Sequence, residues 1–222
     1  ETAAPDFKIM WDNAYCVHHL TDTHDVILNM LEECRKAGHE DRALMFCSLS
    51  KVTFPGAGVA AMAASRRNID YILKNMFPMI ISFDKLNQVR HIRFLKDMDG
   101  LAAHMEKHRA LLEPKFRAVL AILDEGLSGC GSIARWTKPN GGYFLSLYTL
   151  GGCAKRTVQL CREAGVVLTD AGAAYPYGVD PQDSNIRIAP SYPTPEELAV
   201  AADIFVLSVK LVSIDKILES KS

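Results

Sequence analysis

Two continuous apolar runs separated by a helical pattern constrain the fold of this chain more than any other feature. The runs are FKIMWDNAY at 7–15 and ALMFCSLS at 43–50, and the segment between them, 22–38, carries apolar residues at helical spacing. A strand that faces solvent on one side alternates apolar and polar residues, whereas a strand covered on both sides is apolar throughout. The order strand, helix, strand therefore predicts an α/β fold with a parallel or mixed sheet and helices on both faces.

Capping and breaking residues predict where the helices begin and end. Asp22 is placed to cap the first helix, and Gly38 to end it. Farther on, 84–127 is strongly helical, and Gly100 and Pro114 suggest a break or kink, although Pro114 could instead open a new helix segment. Further helices are predicted at 66–77, 154–165 and 194–218, and further strands at 141–150, 166–172 and 185–191.

This order of elements predicts three regions. Residues 1–80 form an α/β region, 81–125 a helical connector, and 126–222 a smaller α+β domain. The length of 222 residues and a hydrophobic share of 49% provide enough apolar side chains for such cores.

Charge, hydropathy and cysteine usage narrow the class of protein. A net charge of −1 lacks the basic excess that phosphate neutralisation requires, so we expect no nucleic-acid binding. No apolar run approaches the roughly 20 residues of a membrane helix, so we expect no membrane span. The six cysteines stand singly, which favours buried free thiols in a reducing cytoplasm. The seven histidines predict no metal site, because the spaced pair His104 and His108 has no suitable third ligand and is interpreted as a surface pair.

A lysine stands where the second apolar run ends, in the stretch CSLSKVTFPGAG at 47–58. Lys51 is either a surface residue at a strand end or, if desolvated, a nucleophile that forms Schiff bases. A pyridoxal cofactor bound there needs a carboxylate at its ring nitrogen, a phenol at its ring oxygen and donors for its phosphate. Asp12, Tyr15 and Ser48 provide these groups. Because ligands bind beyond the carboxyl ends of strands in open α/β sheets, we expect Asp12 and Lys51 to face one crevice.

Each of these signals also has an ordinary structural explanation. Asp12 at a strand end can be a turn former or a helix cap, and a serine beside a turn is common. Arg187, between Ile186 and Ile188 in NIRIAPS, stands where most strands carry a residue that faces solvent. The combination in this order is more specific than any single residue.

Together, WDNAY, SLSK with FPGAG, GGYF and NIRIAPSYP resemble the ordered motifs of fold-type I pyridoxal-phosphate aminotransferases. The chain is most similar to the class I-like branch that contains MocR-type domains and a bacterial aspartate aminotransferase subgroup. The resemblance extends over essentially the whole chain and matches the C-terminal half of these enzymes. We therefore expect the chain, which lacks an initiator methionine and a signal peptide, to begin inside a longer protein. The resemblance implies the end of a large domain with a mostly parallel sheet up to about residue 80, then the connector and a small C-terminal domain.

The resemblance also implies roles for single residues. Lys51 would form the Schiff base with pyridoxal 5'-phosphate and move a proton during catalysis. Asp12 would pair with the protonated pyridine nitrogen, and Tyr15 would hydrogen-bond the ring's 3-oxygen. Ser48 and Ser50 would hold the phosphate.

One position departs from the family pattern. The family usually carries an arginine that grips the phosphate in a PGxRxG-like turn, and Gly58 occupies that place here. Backbone N–H groups, serines, or a basic residue such as Arg66 or one from a neighbouring subunit would then bind the phosphate.

The resemblance assigns the substrate α-carboxylate to Arg187, whose planar guanidinium suits bidentate binding. A dicarboxylate substrate needs a second cation, for which Lys85 is the first candidate and Arg90 and Arg93 are others; a solvated basic helix face is the alternative. We expect transfer of an amino group between aspartate or glutamate and a 2-oxo acid such as 2-oxoglutarate, by a homodimer.

Three alternatives stay open. The enzyme could prefer alanine or an aromatic amino acid. The chain could be the effector-sensing domain of a MocR-type transcription regulator, although these residues contain no basic winged-helix segment. It could also be an interaction module without cofactor, against which the intact set Asp12, Tyr15, Lys51 and Arg187 argues. We expect the isolated chain to be inactive, because the upstream half of the family's enzymes contributes further cofactor contacts.

Overall fold

The computed structural model describes residues 3–221, which divide into two compact units. The first comprises the described residues up to His19 with Thr23–Lys107, and the second comprises Leu20–Asp22 with those from His108 onward. In chain order the elements are β1 (Ile9–Asp12), α1 (Met30–Lys36), β2 (Ala43–Ser48), β3 (Ala60–Ala64), α2 (Arg66–Met76), α3 (Lys85–Leu95), α4 (Met98–Leu127), β4 (Ala134–Trp136), β5 (Leu145–Thr149), α5 (Ala154–Glu163), a 3₁₀ turn (Pro176–Gly178), β6 (Asn185–Ile188) and α6 (Pro195–Glu219).

The first unit contains a mixed sheet, as predicted, with strand order β1-β2-β3. β1 runs parallel to β2 with Asp12 opposite Phe46, and β3 runs antiparallel to β2 with Ala60 opposite Ser48. The strands are less buried than their continuous apolar runs predicted, since Met10 of β1 is 76% exposed. Part of this sheet is therefore open to solvent.

The first helix is shorter than predicted. It begins at Met30, and the side chain of Asn29 caps it. The prediction of Asp22 as the cap was wrong, because the Asp22 carboxylate forms an ion pair with Arg109 at 2.7 Å. Gly38 lies just beyond the end of the helix with φ of +72°, a conformation that glycine adopts without strain.

The long helical segment breaks between α3 and α4, a few residues before the predicted site at Gly100. Lys96 leaves the helix with φ of +66°. A side chain at Gly100 would overlap the carbonyl oxygen of Leu95, so close packing, rather than a break, explains this glycine. Pro114 lies inside α4 without interrupting it, although its missing N–H removes one helical hydrogen bond.

The second unit contains an antiparallel sheet in the order β4-β5-β6. β5 alternates buried and half-buried residues, as the sequence predicted, with Leu145 and Leu147 fully buried. These side chains pack into a core to which α4, α5 and α6 also contribute, including Leu123, Cys161 and Val209. α6 begins as predicted, with a capping box between Thr194 and Glu197.

The segment 166–172 forms no strand, contrary to the prediction. Val166, Leu168 and Ala171 are partly buried against the core of the second unit, and the chain turns at Gly172 with φ of +87°. An apolar run this short has the same pattern whether it pairs as a strand or packs as a loop.

The cysteines and histidines of the described residues form no cluster suited to a metal. All six cysteines are free thiols. Cys34, Cys153 and Cys161 are buried, whereas Cys47 is exposed, so the prediction that the thiols are buried holds for only part of them. Burial raises the pKa of the Cys153 and Cys161 thiols, which favours their unreactive protonated form. Within residues 3–221, no helix has the length and apolar character that crossing a bilayer requires.

Candidate functional site

The carboxyl ends of β1 and β2 meet at one edge of the mixed sheet. Asp12 lies opposite Phe46, and the N–H of Asn13 donates to the Phe46 carbonyl at 2.8 Å. β2 ends two residues later at Ser48. The turn that contains Lys51, residues 49–58, follows directly, and we call it the lysine turn. The parallel pairing thus brings Asp12 and Lys51 to the same edge of the sheet.

The side chains that follow β1 are tied to their own turn. The exposed carboxylate of Asp12 accepts a hydrogen bond from the N–H of Ala14 at 3.0 Å, so it also acts as a turn former. Tyr15 is half-buried, and its ring meets the edge of the His18 ring with centroids 5.5 Å apart. Asp12 therefore combines a local structural contact with access to solvent.

The two serines at the end of β2 form a linked pair. The Ser48 hydroxyl donates to the Ser50 hydroxyl at 2.9 Å and accepts from the Ser50 N–H at 3.1 Å. Gly58 packs directly against this pair: a Cβ added there would stand 2.7 Å from Ser50 Oγ and 2.8 Å from Ser50 N. An arginine at position 58 would therefore require the serine turn to move.

Lys51 is exposed, whereas its neighbour Val52 is only 1% exposed. The backbone of the turn is thus anchored in the interior while the lysine faces outward. The described residues do not provide the desolvation that would make a lysine nucleophilic by burial.

Two histidines hold the backbone of this turn, and neither of these contacts was predicted from the sequence. His18 is 3% exposed, and its Nε2 lies 2.9 Å from the carbonyl oxygen of Lys51. The Nε2 of His104 lies 2.8 Å from the carbonyl oxygen of Val52. Because a carbonyl only accepts hydrogen bonds, both imidazoles donate. The interpretation of His104 as part of a surface pair was therefore wrong.

Helix α3 holds the other end of the turn. The Asn87 side-chain amide donates to the carbonyl of Ala57 at 2.8 Å, and the His91 Nε2 lies 2.8 Å from the Thr53 hydroxyl. Asn87 and His91 are four residues apart, a spacing that places them on one helix face. The spacing indicates, from the sequence alone, that Asn87 and His91 share a helix face. It does not indicate that this face contacts the turn.

The basic residues of α3 are exposed. Lys85 and Arg93 lie on the helix surface, and Arg90 donates to the Asn87 side-chain oxygen at 2.6 Å. The Arg90 guanidinium also lies 5.7 Å from the centre of the Phe54 ring. Arg90 therefore supports the lysine turn from the side of α3.

Arg66, named from the sequence as a phosphate ligand, lies at the start of α2. Its Nε forms an ion pair with Asp70 at 2.9 Å, one helical turn away. Both side chains are exposed, so this pair resembles an ordinary surface ion pair.

Arg187 lies on β6 of the second unit, opposite Ser146 of β5. Its guanidinium lies 4.6 Å from the centre of the Phe144 ring. Among the residues that the structure describes, none accepts a hydrogen bond from its buried Nε. A buried arginine donor without an acceptor has the character of a binding site for an anion.

Comparison with known proteins identifies the family. The sequence profile of the family described as aspartate amino-transferase matches residues 1–221. The chain is 45% identical over 203 residues to the aspartate aminotransferase of Corynebacterium glutamicum, covering 91% of this chain and 47% of that protein. The crystal structure of an aspartate transaminase from C. glutamicum superposes with a TM-score of 0.93 at 44% identity, covering 97% of this chain and 51% of that chain.

The chain therefore belongs to the aspartate aminotransferase family. Its mixed α/β content agrees with this, and the fold is shared with the α-aminoadipate aminotransferase LysN of Thermus thermophilus, with a TM-score of 0.73 at 21% identity. That superposition covers 92% of this chain and 50% of LysN. The chain spans about half the length of the curated relatives it matches.

Proposed function

We propose that this chain is the lysine-bearing part of a pyridoxal-phosphate-dependent aminotransferase. The observation that carries the proposal is the sheet edge at which Asp12, Ser48, Ser50 and Lys51 lie, in a chain whose family match spans residues 1–221. Pyridoxal phosphate, when bound, supplies an aldehyde that condenses with primary amines and a ring that accepts electrons. The reaction moves an amino group between an amino acid and a 2-oxo acid.

The residues at the sheet edge fit the ring of this cofactor. The primary amine of Lys51 would hold the cofactor and would carry a proton to and from the substrate's α-carbon. The carboxylate of Asp12, which is exposed, would pair with the proton on the ring nitrogen. The hydroxyl of Tyr15 would donate to the ring's 3-oxygen.

The phosphate group fits the serine pair. Ser48 and Ser50 offer two hydroxyls, against which Gly58 packs, in a turn whose Lys51 and Gly56 are exposed. Arg66 is a weaker candidate, since its guanidinium already pairs with Asp70. The remaining phosphate ligands come from the rest of the complete polypeptide or from a second subunit.

The substrate carboxylate fits Arg187. Its buried Nε lacks an acceptor among the described residues, and the Phe144 ring supports the guanidinium plane. Lys85, which is exposed on α3, is the residue that we assign to the distal carboxylate. We propose aspartate or glutamate with 2-oxoglutarate as substrates, and the similarity to relatives named aspartate aminotransferase supports this choice.

The chain corresponds, in this proposal, to the C-terminal half of a cytoplasmic, homodimeric fold-type I enzyme. Residues 1–80 belong to its large domain, with a mostly parallel sheet covered by helices on both faces. Residues 81–125 form a connector, and 126–222 the small domain. Coverage of 51% of a solved aspartate transaminase supports the proposal that the chain corresponds to about half of such an enzyme. We place the chain in the branch that also contains MocR-type domains.

The proposal is tested on the complete natural polypeptide that carries these residues. After incubation with pyridoxal 5'-phosphate and reduction with borohydride, peptide mapping should find the phosphopyridoxyl group on Lys51. Lys51→Ala should abolish the label, and Lys74→Ala, which removes an exposed lysine of α2, should not. A label on another lysine, or no label, contradicts the proposal. Half-reactions with aspartate, alanine and an aromatic amino acid then rank the substrates.

A further inference from the structure

Three successive residues after β2 each bond to an imidazole. The Lys51 carbonyl oxygen lies 2.9 Å from His18 Nε2, and the Val52 carbonyl oxygen lies 2.8 Å from His104 Nε2. The Thr53 hydroxyl lies 2.8 Å from His91 Nε2. We call these three histidines the histidine clamp. Three consecutive residues are thus each contacted by a different histidine, although the three histidines are far apart in the sequence.

The clamp joins separate parts of the first unit to the lysine turn. His18 follows β1, His91 lies on α3, and His104 lies on α4. A backbone segment that is bonded from three directions has little freedom to shift as a whole. The exposed side chain of Lys51 therefore extends from a backbone whose position is determined on several sides.

The imidazoles add bonds that the turn does not make by itself. Its own backbone bonds run from the N–H groups of Val52 and Thr53 to the Leu49 carbonyl, at 3.0 and 2.9 Å. The carbonyls of Lys51 and Val52 take donors from His18 and His104 instead. Both bonds are partly buried, with His18 3% and Val52 1% exposed, and a hydrogen bond is stronger in such a setting than in water.

His91 is oriented by its own helix. Its Nδ1 lies 2.8 Å from the Asn87 carbonyl oxygen, which accepts the Nδ1 proton. The Thr53 hydroxyl lies 2.8 Å from the Nε2 and also 3.2 Å from the Leu49 carbonyl oxygen. His91 is 5% exposed, so its ring is buried, and its two hydrogen bonds are partly buried.

We propose that His18, His91 and His104 are positioning residues for Lys51, holding the backbone from which its amine reaches the cofactor. The proposal rests on the proposed function for the role of Lys51. The clamp residues touch the lysine turn rather than a reacting atom, so they act through Lys51.

The test compares paired substitutions in the complete natural polypeptide. His18→Gln and His104→Gln keep an N–H donor near the Nε2 position, whereas His18→Leu and His104→Leu remove it. His39→Leu, which replaces an exposed histidine between α1 and β2, is the matched control. The first readout is hydrogen–deuterium exchange at the Val52 and Thr53 amides without added cofactor. The second is the rate at which pyridoxal 5'-phosphate and borohydride label Lys51.

We expect the leucine variants to exchange these two amides about three- to tenfold faster, as the loss of one net hydrogen bond predicts. Labelling of Lys51 should slow by a similar factor, and the glutamine variants should restore both values to near those of the unsubstituted protein. Exchange is compared with that of β5 amides, so that global unfolding is recognised. If His18→Leu and His104→Leu fold and leave exchange and labelling unchanged, the clamp proposal is wrong. If the unsubstituted protein carries no label on Lys51, the proposed function fails, while the exchange result still tests the clamp.

Discussion

Side chains at the ends of β1 and β2 make structural contacts in addition to the roles that we propose for them. Asp12 forms a hydrogen bond within its own turn and is also the carboxylate assigned to the cofactor ring. Gly58 looked, in the sequence, like an active-site motif that had lost its arginine. The structure explains why a glycine stands at position 58, because Ser50 fills the space that a side chain would need.

Gly58→Ala should destabilise the protein, because the added methyl group would stand 2.7 Å from Ser50 Oγ. Overpacking of this kind costs about 1–3 kcal/mol. Urea unfolding measures the free energy of unfolding. Gly129→Ala is the matched control, because nothing lies within 4 Å of the Cβ position at Gly129. Equal stability losses in the two variants would contradict the packing explanation for Gly58.

Arg187→Lys should weaken amino-acid binding while leaving the labelling of Lys51 by cofactor intact. An ammonium group cannot reproduce two parallel hydrogen bonds to a carboxylate, so KM should rise about 10- to 100-fold. Steady-state kinetics of the complete polypeptide gives this value. Arg135→Lys is the control, since the Arg135 guanidinium also stacks on a ring, that of Tyr148, at 3.9 Å. A similar change in KM for both variants would argue against the role of Arg187.

Where a helix or strand begins depends on contacts between residues. In some cases these residues are close in the sequence, and in others they are far apart. The cap of α6 lies within four residues of sequence, Thr194 to Glu197, and was predicted correctly. The start of α1 was misplaced because Asp22 is drawn to Arg109, far along the chain. The entry to β6 is organised by Asp180, whose buried carboxylate accepts from the N–H groups of Ser184 and Asn185 at 2.7 and 2.8 Å.

Asp180 should make the stability of the second unit depend on pH. Burial raises its pKa, but hydrogen bonds from the backbone N–H groups of Ser184, Asn185 and Gln182 outweigh burial and lower the pKa below its ordinary value. The folded state thus binds the proton more weakly than the unfolded chain. The stabilisation is complete above the unfolded value of about 3.9 and is lost as pH falls through the lower folded value.

Asp180→Asn should therefore lower the free energy of unfolding most at neutral pH, with the difference from the unsubstituted protein shrinking below about pH 4. Urea unfolding across a series of pH values measures this. Asp203→Asn, on the exposed side of α6, should change stability little at any pH. A difference for Asp180→Asn that grew toward acid pH would overturn the assignment.

The molecule exposes more apolar surface in its first unit than scattered surface residues explain. Met79, Ile81 and Leu86 are 80–85% exposed, and Tyr71 and Phe77 are also exposed. In the described part of the chain, β1 and β3 form the two edges of their sheet. Many exposed apolar side chains together with open strand edges are typical of a region that another segment covers. We propose that the other half of the complete polypeptide covers it.

The isolated 222-residue chain should therefore associate with itself and show no transamination. We expect its apparent mass in light scattering to rise with concentration, and Met79→Lys with Ile81→Lys to reduce this association. The same two substitutions on the complete polypeptide should instead lower its stability, because a charge would then be buried. A monodisperse isolated chain that turns over amino acids would contradict the proposal.

Periodicity, capping residues and motif order along the chain were enough to predict a parallel or mixed sheet, most helices and the positions of Asp12 and Lys51 at strand ends, because these depend on neighbours a few positions away. Folding in three dimensions decided which distant groups meet. The histidine clamp, the packing of Gly58 on Ser50 and the pairing of Asp22 with Arg109 all join residues between 8 and 87 positions apart. The pattern of residues within one segment does not indicate which distant residue it will contact. Hydrogen bonds and close packing depend on the positions of both residues in space, and only the tertiary structure determines these positions.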